Sequence, residues 1–222
     1  LGGMYANKIR LIGTEDGVGV HNAGNIGAQA GTLVVTADGR IENSGQMSGQ
    51  AGVTIAANGA MENSGAVRSG ADANLIATGD LHNSGAITAN NHLQTKSATL
   101  NSEQGSVLAA GVNQDGKLAG SSNLTLDASG QLRAQGQNLA SGDLTARGQG
   151  VDVRHSSTSG NNVTLDAGQD DLQTGSAQVA AQQQLTARSG KMLNNDGGKL
   201  LGDKLNISAG SLSNQQGAIA QL

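Results

Sequence analysis

One heptapeptide returns at a constant interval: Gly39-Arg40-Ile41-Glu42-Asn43-Ser44-Gly45, Gly59-Ala60-Met61-Glu62-Asn63-Ser64-Gly65 and Gly79-Asp80-Leu81-His82-Asn83-Ser84-Gly85. A looser copy precedes them at Gly19-Val20-His21-Asn22-Ala23-Gly24. Weaker ones follow at Gly130-Gln131-Leu132, Asp170-Asp171-Leu172, Gly190-Lys191-Met192 and Gly210-Ser211-Leu212. A period of about 20 residues marks a stacked repeat, in which a unit buries its apolar side chains only against the units before and after it. About ten such units fill the chain and leave no room for a second domain.

Each unit carries three apolar bursts. The first is Ile41, Met61, Leu81, Leu100, Leu132, Leu172, Met192 and Leu212. The second is Ile26, Met47, Val67, Ile87, Val107, Leu139, Val179, Leu200 and Ile219. The third alternates, as Leu33/Val35, Val53/Ile55, Ala73/Leu75, Leu93/Thr95, Leu124/Leu126, Leu144/Ala146, Val163/Leu165, Leu185/Ala187 and Leu205/Ile207. Alternation marks a strand with one buried face, and the Asn-Ser-Gly, Ser-Gly and Asp-Gly steps between bursts are turn chemistry. Three strands in so short a unit form the three sides of one coil, each pairing in parallel with its equivalent one coil later. The expected fold is therefore all-β, a right-handed parallel β-helix of three short parallel sheets. Coils about 4.8 Å apart give a rod roughly 50 Å long. A β-propeller or sandwich is the runner-up, but both want longer strands and larger core residues. Tyr5 is the only aromatic residue, so the core rests on Leu, Ile, Val, Met and Ala and must be narrow. The Gly, Ser, Asn and Gln content alone would suit disorder, which the strict apolar period contradicts.

Composition removes several functions. With no Cys there is no disulfide framework, thiolate metal site or cysteine nucleophile. A net charge of −4 and the missing aromatics offer neither a basic footprint nor stacking platforms, so no nucleic acid is expected as partner. No apolar run approaches a membrane helix, and residues 1–5 do not read as a signal peptide.

Stacking assigns structural ladders. Asn43, Asn63 and Asn83 form an amide ladder at one corner, read as corner cement rather than a binding strip. Glu42, Glu62 and His82 stack on an outward face, where a protonated His82 would relieve Glu62; a glycosidase-like carboxylate pair is the sharper alternative. Asp127, Arg147, Asp166 and Arg188 alternate in sign at the end of the third strand, so that a one-coil slip would bring like charges together. The period breaks once, at residues 110–120. There Asp115-Gly116, between Val112 and Lys117-Leu118, reads as a tight hairpin turn protruding from the rod. Such a loop is a candidate recognition element, a neutral insertion being the plainer reading.

No metal, cofactor or catalytic residues are expected. His21, His82, His92 and His155 lack partners at ligand spacing, and Asp115 and Asp196 sit in stretches too sparse for a calcium loop. A polysaccharide lyase, for which Asp166 and Arg147 are the nearest acid–base neighbours, is a remote alternative without aromatic walls.

Residues 1–20, from Leu1-Gly2-Gly3-Met4-Tyr5-Ala6-Asn7-Lys8-Ile9-Arg10 to Gly17-Val18-Gly19-Val20, resemble the stretch that follows the secretion domain in two-partner-secreted exoproteins. These are the filamentous haemagglutinins and the contact-dependent growth inhibition effectors of Gram-negative bacteria. The Asn-Ser-Gly units and residues 130–144 resemble their haemagglutinin repeats. The resemblance covers essentially the whole chain. It implies residues 1–18 as a junction after the secretion domain and residues 19–222 as repeat β-helix. It implies an internal piece of a longer secreted, outer-membrane-associated surface filament, exported through an outer-membrane transporter. The filament would act as a stiff spacer, with receptor binding on a neighbouring or host cell, and any toxin, carried elsewhere. An adhesin segment gripping a cell-surface glycan or protein directly is the alternative.

Overall fold

A computed structural model describes residues 2–222; Leu1, the first residue of the expected 1–18 junction, lies outside the described residues. The described residues are strand, turn and bend with no helix. The strands sort into three parallel sheets, here called A, B and C, of eleven, ten and ten strands. The chain visits A, B and C in turn throughout. Gln46–Gly49, Gly52–Ala57 and Met61–Asn63 are one such round, and each strand pairs with its equivalent about 20 residues on.

The core is one continuous column. Sheet B contributes two inward rows in the register expected from alternation: Leu33, Val53, Ala73, Leu93, Leu124, Leu144, Val163 and Leu185 in one, and their i+2 partners in the other. Sheet C contributes Ile41, Met61, Leu81, Leu100, Leu132, Val151, Leu172 and Leu193, all buried. Sheet A contributes a large row through Met47, Val67, Ile87, Leu108, Val179 and Leu200. Beside it runs a small row of Ala28, Gly49, Ser69, Ala89, Ala110, Ala140 and Ala181. Three short sides converge on one axis, so there is no space for an aromatic ring, and aliphatics interdigitate to fill it.

Three expected core positions are wrong by one residue. Val107 and Leu139 face outward, and Leu108 and Asn138 take the inward place in sheet A. Met192 is likewise displaced by Leu193 in sheet C. The inward positions Val151 and Thr158 carry no burst and escape the apolar pattern. At Leu139 the corner is short, Gln135-Gly136, and the inward Asn138 is simply polar. At Val107 and Met192 the cause lies at the corner from sheet C to sheet A, which varies in length and takes four residues, 103–106, before Val107. In the early coils two residues bridge it: Ser44-Gly45 between Asn43 and Gln46, Ser64-Gly65 and Ser84-Gly85 likewise. In the later coils three residues do so and close a β-turn. Ser156, Ala177 and Gly198 donate their N–H to the carbonyls of Val153, Thr174 and Asn195 at 3.1, 3.0 and 2.9 Å. The third residue of each turn has positive φ: His155 (62°), Ser176 (56°) and Gly197 (67°), with Gln216 (55°) at the next coil. That is type II geometry, which glycine adopts most readily. The added residue shifts the apparent period without shifting the sheets.

Candidate functional site

The tight corners are cemented by side-chain amides. Asn22, Asn43, Asn63 and Asn83 are buried. Each Nδ2 donates onward along the rod, Asn22 to Asn43 Oδ1, Asn43 to Asn63 Oδ1 and Asn63 to Asn83 Oδ1, each at 2.8 Å. The ladder ends with Asn83 Nδ2 donating to Ser102 Oγ at 3.0 Å. The Asn63 carbonyl takes the N–H groups of both Ser84 and Gly85 from the next coil. The following glycine is fixed by contact rather than by φ. A Cβ at Gly65 would stand 2.0 Å from the Gly45 carbonyl oxygen, and one at Gly85 2.0 Å from that of Gly65. Ala134 and Val153 interrupt the amides, which resume as Thr174 Oγ1 donating to Asn195 Oδ1 (2.8 Å) and Asn195 Nδ2 to Asn214 Oδ1 (2.7 Å). Asn22, Asn195 and Asn214 extend the ladder beyond the three residues read from the repeat. Their signal is an Asn at or just after the end of a sheet C strand, without the intact Ser-Gly of the heptapeptide.

On the outward face of sheet C, His21, Glu42, Glu62 and His82 stand in one register row. The pairing differs from the expectation. Arg40 Nη2 lies 2.8 Å from Glu42 Oε1 and 2.5 Å from Glu62 Oε2, and holds both carboxylates. The hydrogen bond to Glu62 raises the Arg40 guanidinium above its ordinary value. His82 turns away from Glu62, its Nε2 lying 3.0 Å from Glu103 Oε1. Arg40 lies just before the strand, where a strand-only reading of the row overlooks it.

Further along the same face, Asp152 is a buried carboxylate, 4% exposed. Its Oδ1 accepts from the backbone N–H and Nε of Arg154, both at 3.0 Å. Its Oδ2 accepts from Arg154 Nη2 at 2.7 Å and Gln135 Nε2 at 3.0 Å. Arg133 Nε lies 3.5 Å from it. Burial pushes this carboxyl up, but the Arg154 side chain and N–H, Gln135 and the Arg154 charge outweigh burial and hold it below the usual carboxylate range. The group lines a concavity of about 390 Å³ with Asp170, Asp171 and Gln173. This is where the structure gathers acid and base. Sequence reading passed over it: Arg154 lies in the turn after the two-residue strand Val151–Asp152, where strand alternation points to no partner. A carboxylate tied by four donors serves as structure, because every lone pair a substrate proton would need is engaged.

Asp127, Arg147, Asp166 and Arg188 occupy one outward row of sheet B, on adjacent strands. Lys96 extends the row. Their side chains form no ion pair within 4.0 Å of one another. Asp166 Oδ1 accepts from the Gly168 N–H at 3.0 Å instead.

At residues 110–120 the chain leaves the rod. Val112 and Leu118 form an antiparallel bridge, Asn113 N–H donates to the Lys117 carbonyl at 2.9 Å, and Gly116 turns with φ 75° beside Asp115. The hairpin is anchored as well as projecting: Arg68 Nη2, from a strand two coils earlier in sheet A, donates to the Asn113 carbonyl at 3.3 Å. Among the described residues no three His, Cys, Asp or Glu converge as a metal requires.

These features define a class: a repeat segment whose polar side chains serve stacking. The haemagglutinin-repeat family model matches residues 2–45 and 158–221. The chain is 38% identical over 221 residues, all of its length, to "Toxin CdiA" of Yersinia pestis. It is 46% identical over 213 residues, 95% of its length, to "tRNA nuclease CdiA-2" of Burkholderia pseudomallei. It is 28% identical over 231 residues, 99% of its length, to "16S rRNA endonuclease CdiA" of Enterobacter cloacae. In each case it spans 7% of the relative's length. No solved structure matches it. The chain belongs to the haemagglutinin-repeat regions of CdiA-type, filamentous-haemagglutinin-like exoproteins.

Proposed function

We propose that this segment is a stiff, non-enzymatic spacer of a secreted bacterial surface filament, holding distal receptor-binding or toxin domains away from the cell. The observation that carries the reading is the unbroken register of three parallel sheets from end to end. Each added coil lengthens the rod by about 4.8 Å with the same backbone bonds, so length and stiffness are set by repeat number. The relatives support it too. Proteins named as a toxin, a tRNA nuclease and a 16S rRNA endonuclease share this segment over nearly its full length, so the segment does not follow the activity in the name. On this reading the parent leaves the cell through an outer-membrane two-partner-secretion transporter, residues 1–18 follow its secretion domain, and nuclease or receptor chemistry lies in other parts of the parent.

Deletion of two whole coils from the parent, for example residues 46–85, tests the spacer. We expect secretion and toxin activity to persist, with a shorter filament by electron microscopy and reduced delivery at long intercellular reach. Loss of receptor binding by an otherwise folded, shortened protein would contradict it.

The groove of about 560 Å³ beside the hairpin, lined by Leu118, Ala140, Ser159 and Ala180, favours a second reading, direct adhesion at the hairpin. Deleting residues 112–118 and measuring cell binding of the labelled chain separates the two, since a spacer loses nothing.

A further inference from the structure

The outward face of sheet B carries a charge sequence that is its own complement when read backwards. Asp127, Arg147, Asp166 and Arg188 stand on four consecutive strands at one register position. Two residues earlier on each strand a threonine row, Thr125, Thr145, Thr164 and Thr186, gives a level surface. Asp127, Arg147 and Arg188 are exposed, and none of the four is in an ion pair among the described residues. We infer that this face is a docking surface for a second copy of the same chain, the two rods lying antiparallel.

Symmetry selects that arrangement. A two-fold axis along the rod would set each charge against its own copy, carboxylate on carboxylate, and repel. A two-fold axis along the strand direction, passing between the strands of Arg147 and Asp166, inverts the order of coils and keeps each row on its own row. Asp127 then faces Arg188 of the other copy and Arg147 faces Asp166, twice each, giving four pairs of opposite sign. The threonine rows meet each other. The next row out places Asp143 opposite Asn162 and Asn123 opposite Gln184, and Lys96 falls on Ser208, so no like charges meet. Shifting the axis by one strand toward Asp127 also forms four pairs, with Lys96 on Asp166, but sets the Arg188 charge on the exposed Ile76. Shifting it onto a strand sets Asp127 on Asp166.

Four strands about 4.8 Å apart and four residues wide give roughly 300 Å² per partner, well below a standard stable interface. Pairing of this segment alone is therefore weak and strongly dependent on salt.

The test is sedimentation of the 222-residue chain at about 0.5 mM in low salt, with circular dichroism confirming strand content for every variant. The wild-type chain is expected to populate a dimer that dissociates above about 0.5 M salt. R147D alone and D166R alone each set like charges across the axis and are expected to weaken dimerisation at least tenfold. Mixed in equal amounts, they restore both central pairs and should dimerise as wild type. The double variant R147D/D166R keeps every intermolecular pair while placing like charges side by side within each rod, and is expected to dimerise. A monomeric wild type, R147D associating as well as wild type, or a mixture that stays monomeric would each overturn the inference.

Discussion

The coils around residues 22–102 and those around residues 151–218 solve the same corner in different ways. The early coils use Asn-Ser-Gly: the amide is buried and bonded to its neighbours above and below, and the glycine lets carbonyls approach where a Cβ would stand 2.0 Å away. The later coils add a residue and turn through a left-handed position, filled by His155, Ser176, Gly197 and Gln216. They also accept a buried ion cluster around Asp152 and a buried polar side chain at Thr158. Both designs leave the inward column and the three sheets in register. The solenoid thus demands a constant core and tolerates a changing rim, and the regular corners, being mutually dependent, are the less forgiving part.

That contrast can be broken first at glycine. Gly65→Ala forces two coils apart at the Gly45 carbonyl and is expected to cost about 3 kcal/mol. Gly197→Ala meets nothing closer than 3.5 Å and incurs only the left-handed backbone cost, about 1 kcal/mol. Chemical denaturation of the two variants reads the difference directly, and equal losses would mean that the corners are not distinct.

The amide ladder comes next. Asn63→Ala leaves the Asn43 donor and the Asn83 acceptor without their partner inside the rod, an expected loss of about 2 kcal/mol. At the exposed Asn214 the same change should cost below about 1 kcal/mol, because water replaces the lost partner. Hydrogen exchange at the corner amides of Ser64, Gly65, Ser84 and Gly85 should rise only in the first variant.

Acid separates the two regions without a mutation. The Asp152 carboxyl is held below its unfolded value, so its contribution to stability is complete above the ordinary carboxylate pKa of about 4 and is lost as pH falls through the folded value. The Asn ladder has no group that titrates. On acidification below about pH 4 exchange protection should fall around Val151–Asp152 first. Asp152→Asn should flatten that response. Protection falling first at the Asn corners would contradict the assignment.

The smallest effect belongs to the sheet B charge row. Arg147→Ala should be near neutral, within about 0.5 kcal/mol, while Arg147→Asp sets three carboxylates on consecutive strands and should melt measurably lower. Equal Tm values for the two would remove the role of the row in setting register.

What the sequence disclosed follows from which sheet a residue serves. Sheet B was legible from Leu33 onward, because its two inward positions per strand give an alternation that survives loss of any one residue; its first strand, Ile9–Gly13, falls within the expected junction and was not read. Sheets A and C have few inward apolar positions per strand, so added corner residues displace the reading, as at Leu108 against Val107 and Leu193 against Met192. Thr158 and Asn138 were invisible as core, since a buried polar side chain carries no apolar signal and is betrayed only by its partners. Asn138 donates to the Ala134 carbonyl and to Thr158 Oγ1. The Asp152 cluster depends on Arg133, one coil before it, and on Gln135 beyond the end of its strand, a juxtaposition that only the coil geometry brings about.

If this segment is one rigid rod, the distance between two points along it is fixed. The chain contains no cysteine, so paired spin labels can be placed cleanly at Ser48→Cys and Ala180→Cys, outward positions on sheet A six strand spacings apart. Pulsed electron resonance should give a single narrow distribution corresponding to a backbone separation of about 29 Å, unchanged when the hairpin at residues 112–118 is removed. A broad or bimodal distribution would contradict a stiff solenoid and, with it, the spacer.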